Sequence, residues 1–497
     1  MKSSDVNVFS RRRFLATSGG FIASTMALRG QDVVGANEQI RVGFIGLGGR
    51  GNSLLGQFLF QTKKGYIKNA KLVAVCDPDT EHMEKAAARA GTKPAMIRDY
   101  RKLLERKDID AVFIASPNHW HALHTIHACQ AGKDVYVEKP VSHTVWESNQ
   151  MLAAVEKYGQ IVQAGTQNRS DSGLIDAFKY LKEGNLGAIQ SVHGLCIKNR
   201  NSIGKLDQPL VPPASLDYNL WLGPSQDKPI YRPQLHYDWH WDYNTGNGDI
   251  GNQGPHEFDL ISWLLGDPEM PTEVFSYGGR FGWDDAGETA NMQFATYQLN
   301  GVPCYFEVND MSLKPDANVP ANYKGIRIGI VVNCEGGEFR GGRGGGYVLG
   351  PDGKTKIAKF PGDAGRWHML NFFDAVRSRR TQDLRAPLIN SCKSAAIPHF
   401  ANISLRTGEQ VPLAKLPSVL PQTAEFADVI ERQSKQLKNW NIDFEKTLCT
   451  VGSNVILNPA TGDVSGPANA AAFNRPQFRK GFEVPELANN AFLKSKL

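Results

Sequence analysis

An apolar run, Ile40-Arg41-Val42-Gly43-Phe44-Ile45, leads straight into Gly46-Leu47-Gly48-Gly49-Arg50-Gly51, which fits G-x-G-x-x-G. A second apolar run, Lys71 to Cys76, ends at Asp77, 26 residues past Gly51. Strand, glycine turn, helical stretch (Asn52 to Phe60), strand and acid follow the order of a dinucleotide-binding βαβ unit. Gly46 permits the tight turn, and Gly48 lets the backbone approach a pyrophosphate. Gly51 lets the helix lie close to the strand, with its N-terminus facing the negative charge. Asp77 suits the adenosine ribose hydroxyls, and its charge repels a 2′-phosphate. NAD is therefore the expected cofactor. NADP is the alternative, because Arg50 stands close enough in sequence to hold that phosphate.

From Ile40 to about Gly165 the pattern repeats. Apolar strands at 40–45, 71–76, 111–115, 134–137 and 161–164 alternate with helical stretches such as Thr80 to Ala90, Tyr100 to Glu105 and Ala122 to Ala131. This alternation predicts an α/β domain with a doubly wound parallel sheet, whose ligands bind beyond the carboxyl ends of the strands. After Gly165 the texture changes. Residues 188–198 and 288–309 alternate as strands, and 324–346 add another strand and a Gly-rich turn run at 341–346. Helices are expected over Trp367 to Arg377 and Cys392 to Arg406. This half reads as an α+β domain whose antiparallel sheet carries helices on one face. Residues 205–245, rich in Pro, Trp, Tyr and Asp, read as a long ordered loop. The expected organisation is 1–36 signal, 38–165 nucleotide-binding domain, 166–410 substrate and oligomerisation domain, and 411–497 extension. The last holds one helical segment, Ala424 to Trp440, and then extended, Pro-punctuated chain.

A chain of 497 residues exceeds one ordinary core, which also argues for two domains. The formal charge of +6 is partly terminal: the first 36 residues hold five Lys/Arg and two Asp, so +3 remains without them. That is too little to suggest a nucleic-acid partner. Seven cysteines without a C-x-x-C pair argue against a disulfide framework and a zinc site. Ser10-Arg11-Arg12-Arg13-Phe14-Leu15 resembles the twin-arginine export motif. The apolar stretch after it, Phe14 to Leu28, is too short for a stable membrane span. A periplasmic or otherwise exported protein follows, with the twin-arginine translocase as transient partner. That route carries folded proteins, so a nucleotide would be captured in the cytoplasm before export.

Two segments at the carboxyl edge carry candidate chemistry. Ser116-Pro117-Asn118-His119-Trp120-His121 follows the strand at 111–115. Ser116, Asn118, His119 and His121 are candidates for the nicotinamide end of the cofactor. His121, His124 and His127 invite a metal reading, but spacing of i, i+3, i+6 drifts around a helix and no carboxylate joins them. No metal is expected, and solvated or capping histidines are the plainer reading. Glu138-Lys139-Pro140 follows the strand at 134–137. A partly desolvated Lys139 can exchange a proton with a substrate oxygen, with Glu138 holding it in place.

These motifs, together with Gly246-Asn-Gly-Asp-Ile-Gly-Asn-Gln-Gly-Pro-His256-Glu-Phe-Asp259, resemble the Gfo/Idh/MocA oxidoreductase family over about residues 38 to 410. The resemblance implies a Rossmann domain joined to an α/β domain with an open, mainly antiparallel sheet. It also implies NAD(P)-linked chemistry on a sugar, polyol or related carbonyl, and a homo-oligomer. Carried over by position, Lys139 is the family's EKP lysine and His256 its acid/base histidine. Asn252 stands where that motif has Asp; its amide can hydrogen-bond substrate or orient His256 but cannot accept a proton at neutral pH, so Lys139 or His256 must act alone. Arg169 is a substrate candidate from its family position. In the loop ahead of the motif, Trp241 and Tyr243 suit the C–H faces and hydroxyls of a sugar. Three functions remain open: an exported oxidoreductase, an NAD-dependent glycosidase acting by transient oxidation and elimination, and a non-catalytic sugar-binding protein.

Overall fold

A computed structural model describes residues 39–488, so the twin-arginine-like segment lies outside the described residues. Six parallel strands form the first sheet: β1 (Ile40–Ile45), β2 (Ala70–Cys76), β3 (Ala95–Ile97), β4 (Ala111–Ile114), β5 (Asp134–Val137) and β6 (Val162–Ala164). Their order is β3-β2-β1-β4-β5-β6, which reverses direction between β1 and β4 and opens a crevice at the carboxyl ends there. Five of these strands are legible as apolar runs. β3 is not, because its three residues follow Pro94 at the sheet edge and none of them is fully buried.

Helices cover both faces. Gly49–Lys63 starts three residues before the expected Asn52, inside the glycine motif itself. Thr80–Ala90 falls where the sequence places it, with the Asp79 side chain capping one end and left-handed Gly91 ending the other. Asn118–Gln130 begins four residues before the expected Ala122 and is buried along most of its length. On one face, Phe44 of β1 and Phe113 of β4 stack at 4.7 Å and meet Phe58 of the first helix. Phe372 and Phe373 complete this core. They come from His368–Ser378, a helix more than two hundred residues later in the chain that folds back onto the first domain.

The second sheet has twelve strands. They are β7 (Ile189–Ile197), β8 (Glu273–Gly279), β9 (Met292–Leu299), β10 (Val302–Asn309), β11 (Ile328–Cys334), β12 (Gly337–Gly342), β13 (Gly345–Leu349), β14 (Lys356–Pro361), β15 (Glu409–Pro412), β16 (Leu448–Val451), β17 (Val455–Leu457) and β18 (Val464–Gly466). The main path runs β14-β13-β12-β11-β7-β10-β9-β8-β16-β15, and β7 and β10 pair in parallel while their neighbours pair antiparallel. Helices Gly254–Leu264 and Leu388–Arg406 pack against the sheet, with Phe258 stacked on Phe306 of β10 at 4.1 Å.

Three expectations change here. The alternation at 288–309 is a hairpin turning at Asn300-Gly301, both at positive φ. The glycines at 341–346 are not a simple turn run: Gly341 pairs with Gly346 and Gly342 with Gly345, as facing ends of β12 and β13. The stretch after 411 is no appendage, since β16 lies between β8 and β15. Four-residue strands are too short to show alternation. Beyond them the chain lies along the first domain, with Phe482 edge-on to Trp120 and Gln150 accepting the N–H groups of Leu487 and Ala488. All seven cysteines are buried and unpaired. Among the described residues no helix is long and apolar enough to cross a membrane.

Candidate active site

A cleft of about 1170 Å³ follows the carboxyl edge of the first sheet and reaches the second domain. Of the sequence candidates, Gly46, Gly48, Arg50, Asp77, Ser116, Asn118, His121, Glu138, Lys139 and Asn252 line it. At Gly46 φ is +84°, and a Cβ would stand 2.4 Å from the Ser116 nitrogen. At Gly51, which lies beneath the cleft, a Cβ would stand 1.8 Å from the Gly46 oxygen. Gly49 faces open space. The helix that starts there has no side-chain cap and no acid in its first turn, so its N–H groups and dipole remain available to an anion. This cradle fits a dinucleotide pyrophosphate.

Asp77 holds the loop closed over itself. Its carboxylate accepts the Leu47 N–H at 2.6 Å and the Asp79 N–H at 2.9 Å. A hydrogen bond to Asp77 raises the pKa of the neighbouring His82. His236, from the 205–245 loop, reaches Asp79 at 2.9 Å and ties that loop across the cleft mouth. Arg50 is not free for a 2′-phosphate, because its guanidinium pairs with Glu138 at 2.7 Å. Burial alone would raise the Glu138 carboxyl, but Arg50 and Lys139 together hold it below the usual range. Glu138 also accepts from Gln167 at 2.9 Å.

Glu138 therefore does not hold the Lys139 side chain. Instead the Lys139 ammonium donates to the Asn252 backbone oxygen at 2.7 Å and to its Oδ1 at 3.2 Å. Burial pulls the Lys139 pKa down to about 8. The Asn252 amide donates in turn to Asp249 at 3.3 Å, which turns the amide oxygen toward Lys139. Asp249 is buried between Lys198 at 3.2 Å and Arg200 at 2.9 Å. Burial would raise its carboxyl, yet these two cations keep it ionised. Lys139 is thus not alone: an amide stands before it and a carboxylate behind that amide. His256 sits one turn after Asn252, past the Pro255 that opens its helix. Its Nδ1 is buried without a partner. Burial, and then Lys139 and Arg50, push its pKa far down, so it stays neutral and is a weak base in this setting.

The other candidates do different work. His121 bridges the Pro140 and Ser116 carbonyls at 2.6 and 2.7 Å, tying the lysine turn to the end of β4. His119 sits between the Trp221 and Thr245 carbonyls and does not line this cleft. The solvated reading of these histidines gives way to burial, with His124 bonded to Ser116 and stacked on Trp120 at 4.4 Å. Arg169 is enclosed by Asp259 at 2.8 Å and Asp267 at 2.5 Å, a structural clamp away from the cleft. Trp241 is buried beside Arg200, and Tyr243 faces a separate cleft. The aromatic loop instead brings Tyr237, Trp239 and His240 to the wall. Sequence reasoning did not single out Asp249, Lys198 or Arg200. Only Asp249 had a signal, since it lies inside the Gly246–His256 motif.

Residues 40–166 match the model of the oxidoreductase family's NAD-binding Rossmann fold, and residues 188–298 match that of its C-terminal alpha/beta domain. A 1-carboxy-3-chloro-3,4-dihydroxycyclohexa-1,5-diene dehydrogenase of Comamonas testosteroni is 27% identical over 264 residues, 53% of this chain and 56% of that protein. An alpha-N-acetylgalactosaminidase of Shewanella oneidensis is 33% identical over 175 residues, 30% of this chain and 37% of that protein. The chain thus spans about a third to just over half the length of these curated relatives. Levoglucosan dehydrogenase, solved with NADH and levoglucosan, shares the fold at a TM-score of 0.54 and 20% identity, over 73% of this chain and 96% of that one.

Proposed function

We propose that this chain is a Gfo/Idh/MocA oxidoreductase, a reading supported by the family models matched at residues 40–166 and 188–298, and that it moves a hydride between NAD and a secondary alcohol or carbonyl of a sugar, glycoside or polyol. The observation that carries this reading is the Lys139 ammonium, held against Asn252 in the cleft with a pKa near 8. When bound, NAD supplies the hydride acceptor or donor. The glycine loop and the bare N-terminus of Gly49–Lys63 hold its diphosphate, and Asp77 holds the adenosine ribose. Lys139 donates a hydrogen bond to the reacting oxygen and moves its proton. His256, held neutral and unpartnered at Nδ1, offers a hydrogen bond and leaves the proton to Lys139. Asn252 and Asp249 keep the ammonium in place. Tyr237, Trp239 and His240 supply ring faces and polar tips for a carbohydrate.

The test is a screen of free sugars, polyols and glycosides against the purified protein, reading absorbance of the reduced nicotinamide. Net change in that absorbance supports the oxidoreductase, and no response to any of them with cofactor bound refutes it. Release of a chromogenic aglycone without net reduction selects the glycosidase reading, which the Shewanella relative's name favours. We also propose export by the twin-arginine route, on the strength of Arg11 and Arg12. Fractionation should find the protein outside the cytoplasm and the Arg11→Lys/Arg12→Lys variant retained within it. Assembly into a homo-oligomer is part of the proposal, read by light scattering.

A further inference from the structure

A second cleft lies between the Tyr243 loop, the helix Leu388–Arg406 and residues 472–478 near the C-terminal end. Its outer part measures about 820 Å³ and its inner part about 640 Å³, and His143, Tyr243, Arg406 and Pro476 border both. Nothing in the proposed reaction uses it. Arg406 is the cation shared by both parts. Its guanidinium is 4.4 Å from the Tyr243 ring centroid and 4.0 Å from that of Phe473. It makes no hydrogen bond or ion pair with any described residue.

Two carboxylates line the outer part, and the charge of one, Glu288, acts on Arg406, although neither closes an ion pair with it. Glu147 accepts the His143 and Thr144 N–H groups at 2.8 and 2.7 Å, as part of a helix cap. Glu288 accepts the Tyr243 N–H at 3.0 Å. In the inner part stands His399, 5% exposed, whose ring lies against the Ser142 backbone without closing a well-formed hydrogen bond at either nitrogen. Burial holds it neutral, with a pKa of about 3, so it offers one donor and one acceptor. Asn474 on the same wall has a buried amide oxygen without a partner. Buried polar atoms of folded chains are normally satisfied, so exceptions converging on one cleft ask for a ligand.

We propose that this cleft binds a small organic oxyanion carried on a hydroxylated carbon skeleton, such as a sugar acid or a sugar phosphate. The rings cover the guanidinium face and leave its edge donors, whose fork matches two oxygens of one anionic group. His399 and the Asn474 oxygen take hydroxyls. The site is also wired to the first cleft. His143 meets the Gly246 oxygen at 3.1 Å, and Asn247 reaches the His143 oxygen at 3.2 Å and Asn118 at 3.5 Å.

Calorimetry of the NAD-loaded protein with gluconate, glucose 6-phosphate, glucose and inorganic phosphate tests this. Gluconate or glucose 6-phosphate should bind at least tenfold more tightly than glucose, and which of them binds tells carboxylate from phosphate. Arg406→Met should weaken that binding at least tenfold, and Lys139→Met, in the first cleft, should leave it unchanged. The proposal is overturned if no organic anion binds at millimolar concentration, if inorganic phosphate alone binds, if Arg406→Met binds as well as the parent, or if Lys139→Met abolishes binding. Should Arg406→Met fail to fold, phenylglyoxal labelling of the unaltered protein replaces it. The bound anion should protect Arg406 from the reagent, and unprotected labelling overturns the proposal.

Discussion

Replacing Lys139 with methionine tests the chemistry directly. A general acid/base contributes about 10²–10⁴-fold to rate, so kcat should fall by about that factor while bound nicotinamide is retained. The pH profile sharpens the test. With a pKa near 8, the amine is about one-tenth neutral at pH 7 and about nine-tenths neutral at pH 9. If the neutral amine takes the proton of an alcohol, oxidation should rise about tenfold over that interval and then level off. Carbonyl reduction, which needs the ammonium, should fall over the same interval. Neighbouring charges should move the limb in opposite directions. Asp249 favours the charged form and Lys198 disfavours it, so Asp249→Asn should shift the limb to lower pH and Lys198→Met to higher pH. Folding adds an independent reading. A lysine whose folded pKa lies below its unfolded value is unfavourable for folding once it is protonated, so this cost grows as pH falls from about 10.5 toward 8 and is full below 8. Lys139→Met should therefore raise Tm at pH 7. Steady-state rates from pH 6 to 10, with a thermal melt of each variant, check all of this. A flat wild-type profile, or a Lys139→Met enzyme within threefold of wild type, would refute the assignment.

Three other substitutions separate framework from chemistry. Gly51→Ala drives a methyl into the Gly46 oxygen, 1.8 Å from where its Cβ would sit, and should cost about 1–3 kcal/mol or more along with most cofactor affinity, read by melts with and without NAD. Arg169→Ala leaves Asp259 buried and unpaired and should cost about 3–5 kcal/mol in denaturant unfolding, with KM nearly unchanged in whatever folds; a selective rise in KM at full stability would return Arg169 to substrate binding. Asp77→Ser removes the charge that repels a 2′-phosphate yet keeps an acceptor for the Leu47 N–H, so the NADP to NAD ratio of kcat/KM should rise at least tenfold.

The first domain was legible because its strands are buried on both sides and write themselves as apolar runs, and because Gly46, Gly51 and Asp77 satisfy local constraints. Lys139 and Asn252 were legible as family positions, but their contact joins residues 113 apart and no local pattern encodes it. The Glu138 partner was misjudged for the same reason: adjacency suggested Lys139, whereas folding delivers Arg50. Trp241 and Tyr243 carry the composition of a sugar site. Yet a loop sends successive side chains in different directions, and it is Tyr237, Trp239 and His240 that reach the cleft. β3 and β16 lacked the length to show a period.

The helix His368–Ser378 has a consequence for biosynthesis. Phe372 and Phe373 fill the hydrophobic layer against Phe58 and Phe113. A growing polypeptide on the ribosome therefore carries its glycine motif from the outset but lacks this layer until some three-quarters of translation is done. Coenzyme capture by a finished pocket is then a late, post-synthetic event, and a truncated N-terminal half expressed alone should be sticky, poorly ordered and empty.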